Sequence, residues 1–379
     1  MSGAAVASVL VVGAGIAGTA VAATLARGGV EVDLVEIKPR NSALGSGITL
    51  QGNALRILRD LGVWDQVADN GFAFDTLGLR APDADGTVLV EMPDARTGGP
   101  DLPATLGIER PLLAEILHAN AESAGVKMKF CTTTTGLVQD NQGVDVTFSD
   151  GSTRRYDVVI GADGIRSWTR RALGIPLDTK PTGMGIWRLI GRRPAAVTRT
   201  DLYYGGACYI AGYCPTGEDS LYAYLVEDAR DRSNLSPEEQ LAVMRELASN
   251  YHGPWDEIRE QLTDPAAVNY TWFESHVLDQ PWNRGRVVLI GDAAHACPPT
   301  LAQGGAQALE DAAVLAELLL DRSLVDEHLW DEFMNRRFPR AKAVVEASLQ
   351  LGTWMLDHDQ DADVPALMGR IAALVSEPA

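Results

Sequence analysis

Short apolar runs and amphipathic stretches alternate through the first part of the chain. The run from Val9 to Val12 is β-branched, and Val30 to Val35 is a second apolar run. Between them, small residues from about Ala17 to Arg27 follow a helical period. A strand, a helix and a strand within about 30 residues have the size of a parallel β-α-β unit with a right-handed crossover. The pattern therefore predicts an α/β fold built on a parallel sheet.

Alternating elements continue to about residue 174. Asn53 to Leu61 and Pro111 to Ser123 are predicted to be helices, and each is closed by a glycine. The Asp150-Gly151 pair predicts a β-hairpin turn that leads into a buried strand.

Between about residues 175 and 280 the pattern changes to alternating aromatic strands. Tyr203 to Tyr213 and Leu221 to Val226 are predicted strands separated by a turn. A mostly antiparallel sheet with one covered face is the simplest account of this alternation.

The α/β pattern returns after residue 280. Val287 to Ile290 is a fully apolar run, Gly304 to Leu320 has a helical pattern, and so does Glu332 to Val375. We therefore predict a Rossmann-like α/β domain whose first part covers residues 1–174, with an inserted segment at about 72–105. A second, sheet domain over residues 175–280 interrupts it. Residues 281–379 complete the first domain and add C-terminal helices.

Charge and composition narrow the class of partner. The chain has 379 residues, 46% of them hydrophobic and 22% charged, which is ordinary globular usage. Its formal net charge of −19 is the wrong sign for binding nucleic acid or anionic lipid, so a small-molecule ligand is expected. The four cysteines are scattered and show no C-x-x-C spacing, which favours a reducing, cytoplasmic setting and no metal site.

The first 26 residues carry no charged side chain, which raises the question of a signal peptide or membrane anchor. A signal peptide needs a basic segment before its apolar stretch, and here glycines interrupt the run. We therefore expect neither a signal peptide nor a membrane anchor.

A glycine motif follows the first predicted strand and opens the first predicted helix. It reads Gly13-Ala14-Gly15-Ile16-Ala17-Gly18, and Glu36 ends the next strand about 20 residues downstream. In such a motif the glycines make a tight turn, admit a pyrophosphate and allow close helix packing, while the acidic residue accepts hydrogen bonds from a ribose. The motif predicts an adenine dinucleotide without choosing between FAD and NAD, and a purely structural glycine turn is the alternative.

Two more carboxylates stand at the ends of predicted strands. Asp163-Gly164 follows one buried strand, and Gly291-Asp292 follows another. Gly304 and Gly305 then begin a helix whose free N–H groups can face an anion.

These three motifs, in this order, resemble those of the class A, single-component FAD-dependent aromatic hydroxylases related to 4-hydroxybenzoate hydroxylase. The resemblance covers nearly the whole chain. Family members often read G-Q-G-A-N where this chain reads Ala302-Gln303-Gly304-Gly305-Ala306. This version resembles the branch that includes 6-hydroxynicotinate and 2-methyl-3-hydroxypyridine-5-carboxylate oxygenases.

The resemblance implies that FAD is held by glycine, carboxylate and arginine positions from all three motifs. The implied FAD-binding residues are Gly13, Ala14, Gly15, Ile16, Ala17, Gly18, Glu36, Gly47, Arg110, Thr134, Asp163, Gly164, Gly291, Asp292, Pro299, Gly304 and Gly305. The helix that starts at Gly304 would place its positive end at the flavin pyrimidine ring and stabilise the anionic reduced flavin.

The substrate is expected between the flavin and the aromatic sheet. Arg188 and Tyr222 match substrate-contacting positions of the pyridine-ring branch and are the predicted catalytic residues. The predicted substrate-binding residues are Thr49, Arg188, Tyr213, Tyr222, Tyr224 and Pro298. For each tyrosine and for Thr49, a purely structural role is the alternative. The branch's other arginine falls on Ile210, which argues against a substrate that carries a carboxylate.

Two other side chains near these motifs have simpler interpretations. His295 is expected to make a structural hydrogen bond, and Cys297 to be a small buried residue.

The function implied by the resemblance is FAD-dependent monooxygenation of a small phenol-like or hydroxypyridine-like ring. NADPH or NADH would reduce FAD transiently, and O2 would give a flavin 4a-hydroperoxide whose distal oxygen reaches the ring. The protein is expected to be a monomer or homodimer. The alternatives are an FAD-dependent dehydrogenase or reductase on the same fold, and a non-catalytic flavin-binding sensor.

Overall fold

The computed structural model describes residues 4–40 and 46–379. The strands are β1 (Ser8–Val12), β2 (Glu31–Val35), β3 (Gly47–Gln51), β4 (Phe72–Phe74), β5 (Thr76–Arg80), β6 (Val88–Pro93), β7 (Thr105–Glu109), β8 (Lys127–Lys129), β9 (Thr134–Gln139), β10 (Val144–Phe148), β11 (Thr153–Tyr156), β12 (Val158–Gly161), β13 (Lys180–Arg192), β14 (Thr200–Tyr204), β15 (Ile210–Pro215), β16 (Ser220–Asp228), β17 (Val268–Val277), β18 (Asn283–Arg284), β19 (Val287–Leu289) and β20 (His295–Ala296). The helices are α1 (Ile16–Arg27), α2 (Gly52–Asp60), α3 (Trp64–Asn70), α4 (Arg110–Ser123), α5 (Trp168–Ala172), α6 (Pro237–Ala248), α7 (Pro254–Glu260), α8 (Gly304–Asp321), α9 (Glu327–Leu356) and α10 (Val364–Ser376).

A six-stranded sheet carries the first domain, in the order β18-β19-β12-β1-β2-β8. Strand β1 pairs in parallel with β2 and β12, and β12 pairs in parallel with β19. Because both faces of a parallel sheet are covered, its strands are apolar throughout, and Val9 to Val11 are fully buried. Strand β19 enters this sheet late in the chain, so the first domain is interrupted, as the sequence pattern predicts.

The eight-stranded sheet has the order β20-β17-β13-β16-β15-β14-β5-β6 and is antiparallel except between β14 and β5. One face packs against α6 and α7 around fully buried aromatic residues such as Trp187 and Trp255. The other face is lined by aromatic and aliphatic side chains and faces a cavity. The predicted antiparallel sheet with one covered face is therefore present.

Three details differ from the sequence-based prediction. Residues 203–213 form two strands rather than one, because Gly205 and Gly206 turn the chain with φ of +84° and +83°. The predicted C-terminal helical stretch is two helices, α9 and α10. Strands β5 and β6, from the predicted inserted segment, join the edge of the eight-stranded sheet. These pairings join strands far apart in sequence, so local patterns do not reveal them.

A buried ionic network joins α8 to α9. The Arg337 guanidinium donates to Glu310 at 2.8 Å and to Asp311 at 2.7 Å, and all three side chains are fully buried. Arg340 adds bonds to both Glu310 oxygens, and His295 Nε2 lies 2.7 Å from Asp311. Burial alone would raise the pKa of Asp311, but His295 and Arg337 outweigh it and lower that pKa to about 2.

None of the described helices is long and apolar enough to cross a membrane.

We predict that Arg337→Met lowers the free energy of unfolding by about 3–5 kcal/mol, because it leaves two buried carboxylates without their cation. The matched control is Arg336→Gln, which removes the partly exposed ion pair between the neighbouring Arg336 and Glu317 and should cost at most about 1 kcal/mol. Urea unfolding of both variants measures the difference. Equal, small losses would show that the network contributes little.

Candidate active site

The glycine turn after β1 is fixed by close backbone contacts. Gly13 has φ of +109°, and a Cβ there would lie 2.4 Å from the Ala162 carbonyl oxygen. A Cβ on Gly18 would lie 1.9 Å from the carbonyl oxygen of Gly13. Gly15 differs, since among residues 4–40 and 46–379 no atom beyond its chain neighbours lies within 4 Å of its Cβ position. The first and third glycines therefore pack the turn, and the second leaves open space above the start of α1.

Glu36 directly follows β2 and lies beside this turn. Its carboxylate accepts hydrogen bonds from the backbone N–H groups of Ala14 and Lys38, each at 2.9 Å. His118 of α4 supports the same loop, with Nε2 2.9 Å from the Ala14 carbonyl oxygen. His118 could not be predicted from local sequence, because its role depends on a contact between α4 and a distant loop.

A cavity of about 830 Å³ runs from the glycine turn to the eight-stranded sheet. Of the predicted FAD-binding residues, its wall includes Gly13, Ala14, Gly15, Ile16, Ala17, Glu36, Gly47, Arg110, Asp163, Gly164, Asp292, Pro299, Gly304 and Gly305. Gly164 has φ of +78° and, like Gly15, nothing within 4 Å of its Cβ position. Bare backbone at these glycines makes a cradle that phosphate groups can approach closely.

Two opposite charges face the middle of the cavity. Arg110, the first residue of α4, donates from Nε to the Gly47 carbonyl oxygen at 3.2 Å, and Asp292 follows β19. Each side chain is accessible from the cavity but surrounded by protein on its other sides. This desolvation lowers the pKa of Arg110 and raises the pKa of Asp292. Hydroxyl groups of a ligand in the cavity can take the place of the water that reaches both side chains.

Helix α8 begins at the cavity with Gly304 and Gly305. It is 18 residues long and has no acidic residue in its first turn, so the N–H groups and the positive end of its dipole are uncompensated there. The preceding Gln303 is fully buried, and its side-chain oxygen accepts from Asn53 Nδ2 at 3.0 Å. Asn53 also donates to Glu310, which connects the start of α8 to the ionic network.

The predicted catalytic pair lies on the sheet side of the cavity. Arg188 donates from Nε to the Tyr222 hydroxyl at 3.1 Å, and Thr49 and Tyr224 line the same space. The Tyr222 and Tyr224 rings are 5.2 Å apart between centroids. Burial raises the pKa of Tyr222 although Arg188 and Arg110 oppose the shift, so its phenol is neutral at pH 7.

Two predicted substrate-binding residues do not reach this space. Tyr213 is fully buried on the opposite face of β15, where its hydroxyl donates to Asp201 at 2.7 Å. Successive side chains of a strand alternate between faces, so Ile210 faces the cavity and Tyr213 does not. Pro298 is buried against a separate small cavity of about 20 Å³ beside α9. Neither residue therefore lines the cavity in this structure.

Three predicted FAD-binding residues also lie behind the cavity wall. Thr134 is buried, and the preceding Thr133 lines the cavity instead. Gly291 is buried with φ of +58°, and its N–H donates to Asp311 at 2.8 Å. Gly18 packs the turn, as described above. Gly291 and Gly18 therefore shape the wall, while their neighbours form its surface.

His295 and Cys297 lie in the segment that follows Asp292. His295 is buried and bonded to Asp311, which agrees with the predicted structural role. Cys297 is only partly buried and lines the cavity, with Sγ 3.0 Å from the Ser348 hydroxyl. Burial raises the pKa of its thiol to about 12, so the sulfur is protonated at neutral pH.

The glycine cradle, the opposite charges of Arg110 and Asp292 and the start of α8 fit FAD, so the fold and the site define a flavoprotein. The chain belongs to the FAD binding domain family, which it matches over residues 6–348. It is 30% identical over 384 aligned positions to the 6-hydroxynicotinate 3-monooxygenase of Bordetella bronchiseptica, covering 96% of this chain and 98% of that protein.

Two further relatives agree with this class. The 2-heptyl-3-hydroxy-4(1H)-quinolone synthase of Pseudomonas aeruginosa is 33% identical over 319 residues, which are 82% of this chain and 80% of that protein. A tetrameric form of 2-methyl-3-hydroxypyridine-5-carboxylic acid oxygenase superposes with a TM-score of 0.79 and 26% identity, covering 96% of this chain and 95% of that one.

The predicted resemblance to class A aromatic hydroxylases is thus confirmed. The chain is an enzyme and a flavoprotein, an FAD-dependent monooxygenase with NADPH or NADH as reductant and O2 as co-substrate. The residues that fit FAD are those of the cavity wall described above.

We predict that Gly15→Ala weakens FAD binding at least about tenfold, because the new methyl group enters the space over which a pyrophosphate must lie. Folding should be unaffected, since the methyl group meets none of the described residues within 4 Å beyond its chain neighbours. Gly369→Ala in α10 is the control, because its Cβ position is equally open and Gly369 itself does not line the cavity. Titration of the apoprotein with FAD, followed by flavin fluorescence, measures both. Unchanged affinity in Gly15→Ala would contradict this position for the pyrophosphate.

Proposed function

We propose that the enzyme hydroxylates a small, electron-rich aromatic or N-heteroaromatic ring of the phenol or hydroxypyridine type. One observation carries the proposal: a single cavity contains the glycine cradle, the start of α8 and the Arg188–Tyr222 pair. A ring on the sheet side therefore shares one enclosed space with the cofactor site.

Arg188 and Tyr222 bind and polarise the hydroxyl or oxo group of the ring. The Tyr222 oxygen accepts from Arg188, which leaves its own proton free to donate to a ring oxygen. The two guanidinium groups, Arg188 and Arg110, favour negative charge on that oxygen, and both act on the Tyr222 phenol. A more anionic ring oxygen makes the ring carbons more nucleophilic, which favours attack on an electrophilic oxygen.

FAD, when bound, supplies hydride acceptance from the nicotinamide and activation of O2. The residues around it provide position and electrostatics. The uncompensated start of α8 favours negative charge on the ring system placed against it. The sheet, with the loop through Pro299, encloses the site and limits access of water.

We also propose a location, an oligomeric state and a class of partner for the enzyme. A cytoplasmic location rests on the cysteine usage, and a monomer or homodimer on the sequence alone. We retain both, together with a small aromatic compound as the partner.

We predict that Arg188→Met lowers kcat by about 10²-fold or more and that Tyr222→Phe lowers it about tenfold, because each removes stabilisation of the ring oxygen. Oxidation of NADH and NADPH is followed with a panel of phenols and hydroxypyridines, and each product is weighed by mass spectrometry. Tyr209→Phe is the matched control, since the Tyr209 hydroxyl donates to Asp228 outside the cavity.

The proposal holds if a ligand accelerates nicotinamide oxidation, gains one oxygen, and loses this acceleration in the two cavity variants alone. A product that loses hydrogen without gaining oxygen would identify a dehydrogenase instead. Oxidation that no ligand of the panel accelerates would also contradict the proposal.

A further inference from the structure

The cavity face of the eight-stranded sheet is divided into a polar and an apolar part. Arg188 pairs across strands with Tyr224, and Tyr224 pairs with Gly212. Two residues along each strand, Ile186 pairs with Val226, and Val226 pairs with Ile210. Side chains two positions apart share a face and are about 7 Å apart along the strand. The aliphatic row Ile186, Val226 and Ile210 therefore lies beside the row that contains Arg188, on the cavity face of the same sheet.

Further apolar side chains extend this row into a wall. We call the set the apolar wall, and its members are Ile186, Leu202, Tyr204, Ile210, Val226 and Phe273, all of which line the cavity. Five strands, β13 to β17, contribute to it. None of its side chains carries a charge.

The accessible part of the apolar wall lies on β14. Ile186, Ile210, Val226 and Phe273 are at most 7% exposed and form its base. Leu202 is half-buried and Tyr204 is 42% exposed, so their surface is left for a ligand to cover. Both Leu202 and Tyr204 line the cavity, so the surface that they leave exposed faces it.

The wall discriminates between substituents of a bound ring. The Arg188 guanidinium lies on the polar side, where it donates to the hydroxyl groups of Tyr222 and Thr271. A carboxylate over the apolar wall would lose its hydration without gaining a cation. An alkyl group there loses nothing polar, and each buried methylene adds about 0.8 kcal/mol, or about fourfold in affinity.

We infer that the substrate is an aromatic ring that carries a non-polar substituent, with the ring oxygen at Arg188 and Tyr222 and an alkyl or aryl group on the apolar wall. This inference rests on the proposed function for the position of the ring. The inference adds to the proposed function the chemical class of the ring substituent and the residues that select this substituent.

The test is a ligand series on the FAD-loaded enzyme in which only one substituent changes. The probes are 4-hydroxyquinolines with methyl, propyl or pentyl at carbon 2, and 4-hydroxyquinoline-2-carboxylate. Dissociation constants come from calorimetry and from the change in flavin absorbance, so binding is measured without turnover. Affinity should rise at least about tenfold from methyl to pentyl, and the carboxylate should bind more weakly than the methyl compound.

Two aromatic residues of similar exposure give matched variants. Tyr204→Ser removes apolar surface inside the cavity and should weaken pentyl binding at least about fivefold while it leaves methyl binding within about twofold. Trp272→Ser is the control, because Trp272 is 43% exposed on β17 of the same sheet but does not line the cavity. It should change neither constant.

A third variant tests the charge argument. Ile210→Arg places a cation on the apolar wall and should reverse the preference, so that the carboxylate binds more tightly than the pentyl compound. Retained flavin absorbance shows that Ile210→Arg is folded. If Ile210→Arg does not fold, the result for Tyr204→Ser tests the inference.

The outcomes separate the two proposals. If affinity rises with chain length and no oxygen is gained, the apolar wall stands and the hydroxylase proposal falls. If the carboxylate binds better than the alkyl compounds, or if affinity is flat or absent across the series, the inference is wrong whether or not a product forms. An equal loss of pentyl binding in Tyr204→Ser and Trp272→Ser would overturn it as well.

Discussion

A buried set of charges between α8 and α9 fixes two elements on the cofactor side of the cavity, the turn that carries Asp292 and the start of α8. Asp311 accepts from the Gly291 N–H and contacts His295, and so holds the turn that carries Asp292. Glu310 accepts from Asn53, whose amide group bonds Gln303 just before the start of α8. Arg337 binds both carboxylates. Since an unpaired buried charge is costly, neither element can shift without breaking this network.

This constraint explains how a chain of ordinary composition builds an oriented cofactor site. The glycine turn defines one end of the cavity through backbone contacts that only glycine allows. The ionic network fixes Asp292 and the uncompensated helix end on the same side. The sheet supplies the opposite wall, with a polar centre at Arg188 and Tyr222 and an apolar margin. Position and electrostatics thus come from the protein, and the redox chemistry comes from FAD.

Much of this arrangement could be predicted from local sequence. The glycine motif, Glu36, Asp163 and Asp292 each follow a strand, and strand ends in an open α/β sheet meet at one edge. It was harder to predict which side chains of the antiparallel sheet face the cavity, because a shift of one residue moves every side chain of a strand to the opposite face. Tyr222 and Tyr224 share the predicted face, whereas the Gly205–Gly206 turn starts a new strand and leaves Tyr213 on the other side. His118 and Phe273 act through contacts between distant segments, which no local pattern encodes.

A hydroxylase with this cavity transfers one oxygen atom of O2 to an aromatic ring. This transfer is measured by supplying the FAD-loaded enzyme with reduced nicotinamide and a ring that accelerates its oxidation, under ¹⁸O2 in ordinary water. We expect a product that carries one ¹⁸O atom on the ring. A product that carries only oxygen from water, or none, would show that the enzyme is not a hydroxylase of that ring.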